Sequence, residues 1–163
     1  MFDQPKWEID AASECIRKWT ENLHTEAKRL FAQDGTHANL LFLFNKESGL
    51  ICVNPVPSNV DYDQLNAAVA NSVKEYDLYG VILIGETWAY YIKENDHTAF
   101  QLLDGEMRVS DLNAEDKKEA LMVKMENRDG DCLVYLDEII RDEKGVILKE
   151  GKLAESAQKI WMA

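Results

Sequence analysis

The sequence lacks the short motifs by which enzymes and metal sites are usually identified. Its 163 residues contain no Gly-x-Ser-x-Gly elbow, no P-loop and no Gly-x-Gly-x-x-Gly loop. The histidines and cysteines stand at none of the spacings typical of metal ligands: His24, His37, His97, Cys15, Cys52 and Cys132. The sequence therefore predicts no metal, no cofactor and no nucleotide-binding loop of a known type, and it favours a protein that is not an enzyme.

Cysteine is also scarce, since an odd count of three widely spaced residues is not a disulfide framework. Cys52 and Cys132 lie in apolar strand patterns, and core packing is predicted for both. The first residues lack the basic start and apolar run of a signal peptide, and no apolar stretch approaches the length of a membrane span. These absences predict a reducing, cytoplasmic location.

Positive charge is in short supply. Lys and Arg number 18 against 30 Asp and Glu, so the net charge is -12. Such a surface repels nucleic-acid phosphates and anionic membrane lipids, and neither is expected as a partner. A basic protein is the partner that this charge favours. The alternative is that the charge merely keeps the protein dissolved.

The first half of the chain shows clear periodic patterns. Residues 10–31 predict a helix that starts at Asp10 and ends at Asp34-Gly35, because apolar side chains recur every three or four positions: Ala12, Ile16, Trp19, Leu23, Ala27 and Leu30. Residues 40–44 and 50–53 predict a β-hairpin. A second helix from Asp61 to about Tyr76 follows, and then a central strand over residues 79–84 that Gly85 interrupts with a bulge or bend.

In the second half, a short strand is predicted at Phe100–Leu103 and a polar loop at residues 111–118. Three strands joined by tight turns then form a meander over residues 121–148. Leu153, Ala157, Ile160 and Trp161 predict a closing helix. The whole predicts one α+β domain over residues 1–163, with a mostly antiparallel or mixed sheet, packed helices and the order α-β-β-α-β-β-β-β-α.

Carboxylates are the one abundant reactive group. Glu86 stands inside an apolar segment, so it must be paired with a cation such as Arg141 or Arg108, or act as an acid or base in a pocket. Asp137 and Glu138 interrupt another apolar strand, and a bulge that turns both outward is the simpler interpretation. Glu86, Asp137, Glu138 and Arg141 are thus the candidate catalytic residues, each with a structural role as its alternative.

Aromatic and apolar residues supply candidates for partner binding. Trp88 and Tyr90 lie on or beside the central strand, and Ile160 and Trp161 lie in the predicted closing helix. Exposed aromatic side chains can anchor a protein partner, although packing beneath loops is the commoner role.

The function that these observations favour is a non-enzymatic, acidic protein-interaction module or accessory factor, and the closing helix could form a homodimer surface. The alternative is a small-molecule-binding domain or a minor hydrolase with a carboxylate site near Glu86.

Overall fold

The fold was analysed in a computed structural model that describes residues 2–57, 59–89, 97–103, 106–107, 111–113, 115–151, 153–155 and 161–162. A 3-10 turn over Ile9–Ala11 precedes the first helix. The helices are α1 (Ala12–Asp34), α2 (Tyr62–Glu75) and α3 (His97–Leu103). The strands are β1 (Leu40–Asn45), β2 (Gly49–Pro55), β3 (Gly80–Ala89), β4 (Lys118–Asn127), β5 (Cys132–Asp142), β6 (Gly145–Lys149) and β7 (Leu153–Glu155).

The described strands form one sheet in which every pairing is antiparallel. The strand order is β2-β1-β3-β4-β5-β6, and β7 pairs with β5 beside β6. Because β2 and β3 flank β1 and both run antiparallel to it, they are parallel to each other. The segment that contains α2 therefore crosses over β1.

The sheet buries side chains on both faces because successive strand residues point to opposite sides. On the first face, Ile82 and Ile84 of β3 and Val123 of β4 pack beneath α1, which contributes Ile16, Trp19, Leu23, Ala27 and Phe31. These helical residues are the stripe predicted from the sequence, except that Phe31 rather than Leu30 completes it. We call this side of the sheet the α1 face.

On the second face, Leu41, Val81 and Leu83 pack against Val69 and Val73 of α2. Trp161, near the end of the chain, is 2% exposed and belongs to the same cluster. We call this side the α2 face. An apolar run without alternation, as in β1 and the first half of β3, is therefore explained by cover on both sides.

The ends of the elements follow ordinary capping and turn chemistry. Gly35 ends α1 with φ 73°, and its N–H donates to the Phe31 carbonyl at 2.7 Å. The Asp61 side chain caps α2 by accepting a hydrogen bond from the Asp63 N–H at 2.8 Å. Asp10 was the predicted cap of α1, but the helix begins two residues later and Ala11 occupies the cap position without a side-chain bond.

Three predicted elements were wrong. The chain at Phe100–Leu103 belongs to the helix α3 and not to a strand. Gly85 introduces no bulge, because its register with Met122 is regular, and the irregularity of the sheet lies between β1 and β2 instead. The start of the predicted closing helix is instead the strand β7. Its residue Leu153 pairs with Tyr135, on the side of β5 that faces away from β4. Residues 156–160, which include Ile160, lie outside the described part of the chain.

The cysteines are distributed differently from the prediction. Cys132 is 3% exposed and packs in the core as expected, and so does Cys15. Cys52 instead lies exposed on β2. The prediction for Cys52 failed because β2 is the outermost strand and its residues from Ile51 to Pro55 are exposed.

Candidate functional site

Glu86 lies in a network of ion pairs at the edge of the α1 face. Its carboxylate accepts hydrogen bonds from the Arg141 Nη2 at 2.7 Å and the Thr36 hydroxyl at 3.1 Å. Arg141 also donates from Nε to Glu119 at 2.8 Å and from Nη1 to the Gly35 carbonyl at 3.1 Å. The bond with Glu119 raises the pKa of the Arg141 guanidinium above its ordinary value, although burial acts against this. Glu86 and Arg141, two of the predicted site residues, are thus brought together as an ion pair.

A small cavity of about 140 Å³ lies beside Glu86. Glu86 is one of its lining residues, with Leu83, Gly85 and Thr87 of the same strand. The side chains of Leu83 and Thr87 alternate with that of Glu86 and therefore lie on the α2 face. The Glu86 carboxylate points to the α1 face, where its partners Thr36 and Arg141 lie. The carboxylate and the adjacent cavity therefore face opposite sides of the sheet.

Asp137 is buried and pairs with a histidine of α1. Its Oδ2 lies 2.5 Å from the His24 Nε2, and its Oδ1 accepts a hydrogen bond from the Gly151 N–H at 3.0 Å. Burial disfavours the charged carboxylate, but these hydrogen bonds outweigh it and hold the pKa of Asp137 below its ordinary value. The His24 ring stacks on Tyr135 at a centroid distance of 4.1 Å. His24, expected at the boundary of the helix, is the partner that Asp137 requires.

The predicted bulge at Asp137 and Glu138 is absent, since Leu121 pairs with Asp137 and Ala120 with Glu138 in regular register. The two side chains consequently point to opposite faces. Glu138 forms a surface ion pair with Lys118 at 3.2 Å. Asp137 and Glu138 therefore do not share a site.

A second buried ion pair was missed by the sequence analysis. Lys124 and Glu126 of β4 both point to the α2 face, with Nζ and Oε2 3.2 Å apart and the side chains 7% and 0% exposed. The Glu126 Oε1 accepts hydrogen bonds from the backbone N–H groups of Trp161 and Met162 at 3.0 and 3.4 Å. The Lys124 Nζ lies 4.6 Å from the Trp161 ring centre. The sequence contains an indication of this pair, since Lys124 and Glu126 alternate with apolar residues in a strand whose pattern is typical of the core.

The aromatic candidates differ in accessibility. Trp88 is 42% exposed, and the Lys117 Nζ lies 4.4 Å above its ring. Trp161 was predicted on a partner surface, but it is buried and its indole N–H donates to the Asn66 side chain at 3.0 Å. Its backbone N–H bonds the Glu126 carboxylate and its ring contacts the Lys124 ammonium, and these two contacts hold Trp161 against the sheet. Tyr90 and Ile160 lie outside the described residues.

A groove lined by described residues opens at the end of the sheet where β1 and β4 finish and β3 begins. It has a volume of about 660 Å³. We call it the end groove. Four segments line it, namely the start of α1, the β1–β2 turn, the segment before β3 and the β4–β5 turn: Ile9, Asp10, Ala11, Ala12, Ser13, Glu14, Asn45, Lys46, Glu47, Asp77, Arg128 and Asp129.

The end groove carries five carboxylates and two cations. Asp77 pairs with Arg128 at 2.6 Å, and Asp129 accepts a hydrogen bond from the Tyr79 hydroxyl at 2.6 Å. Burial, aided by Asp129, raises the pKa of Tyr79 above its ordinary value, so this hydroxyl remains a donor. The remaining carboxylates, Asp10, Glu14 and Glu47, are exposed to solvent.

Asp131 fixes the wall of the end groove by joining α1 to the β4–β5 turn. It accepts hydrogen bonds from Ser13 and Arg17 at 2.8 Å each and from Asn127 at 2.7 Å. Burial disfavours the charge on Asp131, but these three donors outweigh it and lower its pKa to about 2. Asp129-Gly130-Asp131 therefore serves as a hairpin turn whose acidic side chains have protein partners.

No cluster of His, Cys, Asp and Glu in the described part of the chain has the arrangement of a metal site. A separate search of the same residues finds no helix long and apolar enough to cross a membrane.

The molecule is thus an α+β protein with an antiparallel sheet, covered on both faces, whose charged end groove is built from four chain segments. The family model described as Bacteriophage lambda protein ea47 matches residues 2–163, and the chain belongs to that family. No curated protein and no solved structure gives a significant match.

Proposed function

We propose that the protein is a non-enzymatic, acidic interaction module that holds a basic segment of a partner protein in the end groove. The observation that carries the proposal is the excess of carboxylates over cations in the end groove, where five carboxylates stand against two cations. The net charge of -12 acts in the same direction, because it attracts a basic partner from a distance.

The carboxylates of the end groove differ in what they offer a partner. Asp77 and Asp129 are engaged with Arg128 and Tyr79. Asp10, Glu14 and Glu47 have no ion-pair partner among the described residues. A lysine or arginine side chain that enters the groove can pair with these three without breaking a bond of the fold, and the surrounding acids disfavour an anionic ligand.

The framework of the end groove is suited to binding without large rearrangement. Asp131 ties α1 to the β4–β5 turn through two hydrogen bonds, from Ser13 and Arg17. Arg128 bonds both Asp77 and the Leu78 carbonyl, the latter at 2.7 Å. Walls held in this way lose little freedom when a partner docks, so less of the binding free energy is consumed by ordering.

The proposed location is the cytoplasm. Cys15, Cys52 and Cys132, all of which lie in the described part of the chain, form no disulfide with one another. That state suits a reducing compartment, where thiols are kept reduced.

A titration of the ¹⁵N-labelled protein with a lysine-rich peptide tests the proposal. Amide shifts should concentrate at the start of α1, the β1–β2 turn and the β4–β5 turn. The variant Glu14→Gln/Glu47→Gln should bind about fivefold more weakly, because two exposed charge pairs contribute roughly 1 kcal/mol in all. Affinity should also fall steeply as salt is added.

The matched control is Glu115→Gln/Glu143→Gln, which removes the same charge from exposed positions outside the lining of the end groove. This variant should bind like the unaltered protein. Equal losses in both double variants, or shifts spread evenly over the surface, would mean that net charge alone attracts the peptide and that the end groove has no special role.

A small-molecule site near Glu86 remains the alternative, and the cavity of about 140 Å³ is the observation that favours it. It has less support, because the Glu86 carboxylate is engaged by Arg141 and Thr36 and faces away from the cavity. A carboxylate whose oxygens already accept hydrogen bonds from the protein is poorly placed to take a proton from a substrate.

A further inference from the structure

The cavity of about 140 Å³ on the α2 face lies between β3, β4 and the segment that leads into α2. Most of its lining side chains are apolar: Val56, Pro57, Val60, Leu65, Leu83 and Met122. Protein interiors contain few voids larger than a water molecule, so a space of this size is a candidate binding site. Cavities of about this volume hold one ring of the size of benzene.

Asn39 forms a polar end of this cavity, and Gly85 allows its amide to lie over β3. A β-carbon at position 85 would collide with the Asn39 Oδ1, so glycine is the residue that leaves room for the amide. The Oδ1 accepts a hydrogen bond from the Glu86 N–H at 3.3 Å, and the Asn39 carbonyl accepts one from the Val56 N–H at 2.8 Å. These two bonds fix both the position of Asn39 and the direction of its amide.

The amide nitrogen of Asn39 is left as a hydrogen-bond donor. Within the described ranges it has no hydrogen-bond partner, because the bond to Glu86 uses the oxygen. Thr87, the other uncharged polar side chain of the lining, donates its hydroxyl proton to the Trp88 carbonyl at 3.4 Å. The side chain that can donate to a ligand at this end is therefore Asn39.

The charge around the cavity favours an uncharged ligand. Of the described residues that line it, Glu86 alone is charged. The Glu86 carboxylate is bonded to Arg141 and Thr36 on the α1 face, so it is not available to a ligand on the α2 face. An ion that entered the cavity would lose its hydration without gaining a counter-charge, which is unfavourable.

We infer that this cavity binds a small uncharged molecule of about seven heavy atoms, whose ring packs against Leu65, Leu83 and Met122 and whose acceptor atom is bonded by the Asn39 NH2. A carboxylate site at Glu86 would use a different group on the opposite face. The inference does not depend on the proposed function, because the cavity lies at the start of β1 and the end groove lies at its end.

A titration of the full chain with cyclohexanone, followed by methyl NMR spectra, tests the inference. The methyl groups of Leu65, Leu83 and Met122 should shift saturably, with a Kd of about a millimolar for a ligand of this size. Methylenecyclohexane is the matched probe, because it has the same shape and lacks the acceptor oxygen. Cyclohexanecarboxylate is the charged probe, and it should give no saturable shifts at these methyl groups.

Asn39→Asp removes the donor and keeps an oxygen for the Glu86 N–H. It should weaken cyclohexanone at least about fivefold more than it weakens methylenecyclohexane, because the lost hydrogen bond concerns the ketone alone. The matched control is Asn71→Asp, which makes the same change at an exposed position outside the lining. Glu86→Gln should leave the affinity for cyclohexanone unchanged, which distinguishes this site from a carboxylate site.

Thermal unfolding checks that each variant is folded. If Asn39→Asp does not fold, Gly85→Ala serves instead, because its methyl group displaces the Asn39 amide without a change of charge, and the same preferential loss of the ketone is expected.

Three results would overturn the inference. The first is the absence of saturable shifts at the lining methyl groups with either uncharged probe, which would mean that the cavity holds only water. The second is an equal loss of cyclohexanone and methylenecyclohexane in the folded Asn39 or Gly85 variant. The third is a loss of cyclohexanone binding in Glu86→Gln, or tighter binding of the carboxylate probe, because either would assign the site to charged groups.

Discussion

At the scale of single residues, Asp137 and Glu86 of the sheet are bonded to side chains from distant parts of the sequence. Asp137 meets His24 across 113 residues, and Glu86 meets Arg141 across 55. A buried charge without a partner would lower the free energy of unfolding by several kcal/mol. Each interior carboxylate therefore needs a hydrogen-bond donor within reach on a neighbouring element. These pairs hold α1 and the sheet edge in place and leave the exposed carboxylates of the end groove for a partner.

How far these pairs could be predicted depends on the pattern around each residue. Arg141 was one of the cations proposed for Glu86, since a carboxylate in an apolar strand requires one. The choice between Arg141 and Arg108 needed the strand order, which places β5 next to β4 and close to β3. Lys124 and Glu126 were not predicted to pair, although residues two apart in a strand lie on the same face of the sheet.

Replacing Asp131 by Asn should reduce stability and change its dependence on pH. The Asp131 pKa is lowered from 3.8 to about 2, so its contribution is complete above pH 3.8 and is lost as pH falls toward 2. Asp131→Asn should therefore lower the free energy of unfolding by about 1–2 kcal/mol at pH 7 and by much less near pH 2. Urea unfolding at the two pH values measures the difference.

A control for Asp131 is Asp142→Asn, which alters a carboxylate in an exposed turn. Its effect should be small at both pH values. If the loss for Asp131→Asn were the same at pH 7 and near pH 2, the ion pair with Arg17 would not be the source of the stability.

Glu86→Gln should leave the fold intact and lower the free energy of unfolding by less than about 1 kcal/mol, because partly exposed ion pairs contribute little. The amide oxygen can still accept from Arg141, and the amide NH2 can donate to the Thr36 hydroxyl oxygen. Urea unfolding measures the change, and ligand screening of both proteins follows it. A ligand bound by the unaltered protein and lost in a stable Glu86→Gln variant would favour the small-molecule alternative.

At the scale of elements, patterns that span a few residues predicted the first helix and the β-hairpins, whose formation depends on those residues. The α1 stripe and the β-hairpins repeat within a few residues, and their turns carry Gly, Asn or Asp. Residues 153–155 were misassigned because a short apolar pattern suits either a helix or a strand. The strand forms because the backbone groups of Leu133–Tyr135 on the side of β5 away from β4 need hydrogen-bond partners, and β7 supplies them.

The Lys124–Glu126 pair should behave as a coupled unit that holds the end of the chain. Glu126→Gln leaves Lys124 buried without a counter-charge, and Lys124→Met does the same to Glu126, so each should cost about 3–5 kcal/mol. The double variant has no buried charge and should recover most of that loss. Urea unfolding of the four proteins gives the coupling energy. A double variant less stable than both single variants would contradict the interpretation.

At the scale of the whole molecule, the sign of the charge was readable from the sequence, but its arrangement was not. The end groove joins residues 9–14, 45–47, 77 and 128–129, which no sequence pattern connects. The antiparallel sheet brings them together, because β1 and β4 end where β3 begins.

The most direct test of the central claim is a quantitative pull-down from a bacterial cell extract at low and at moderate salt, with bound proteins identified and their stoichiometry measured. The account predicts a basic protein in stoichiometric amount that is lost at moderate salt, and lost at low salt from Glu14→Gln/Glu47→Gln but not from Glu115→Gln/Glu143→Gln. No stoichiometric partner at either salt concentration, or a partner whose binding ignores both salt and the end-groove carboxylates, would contradict it.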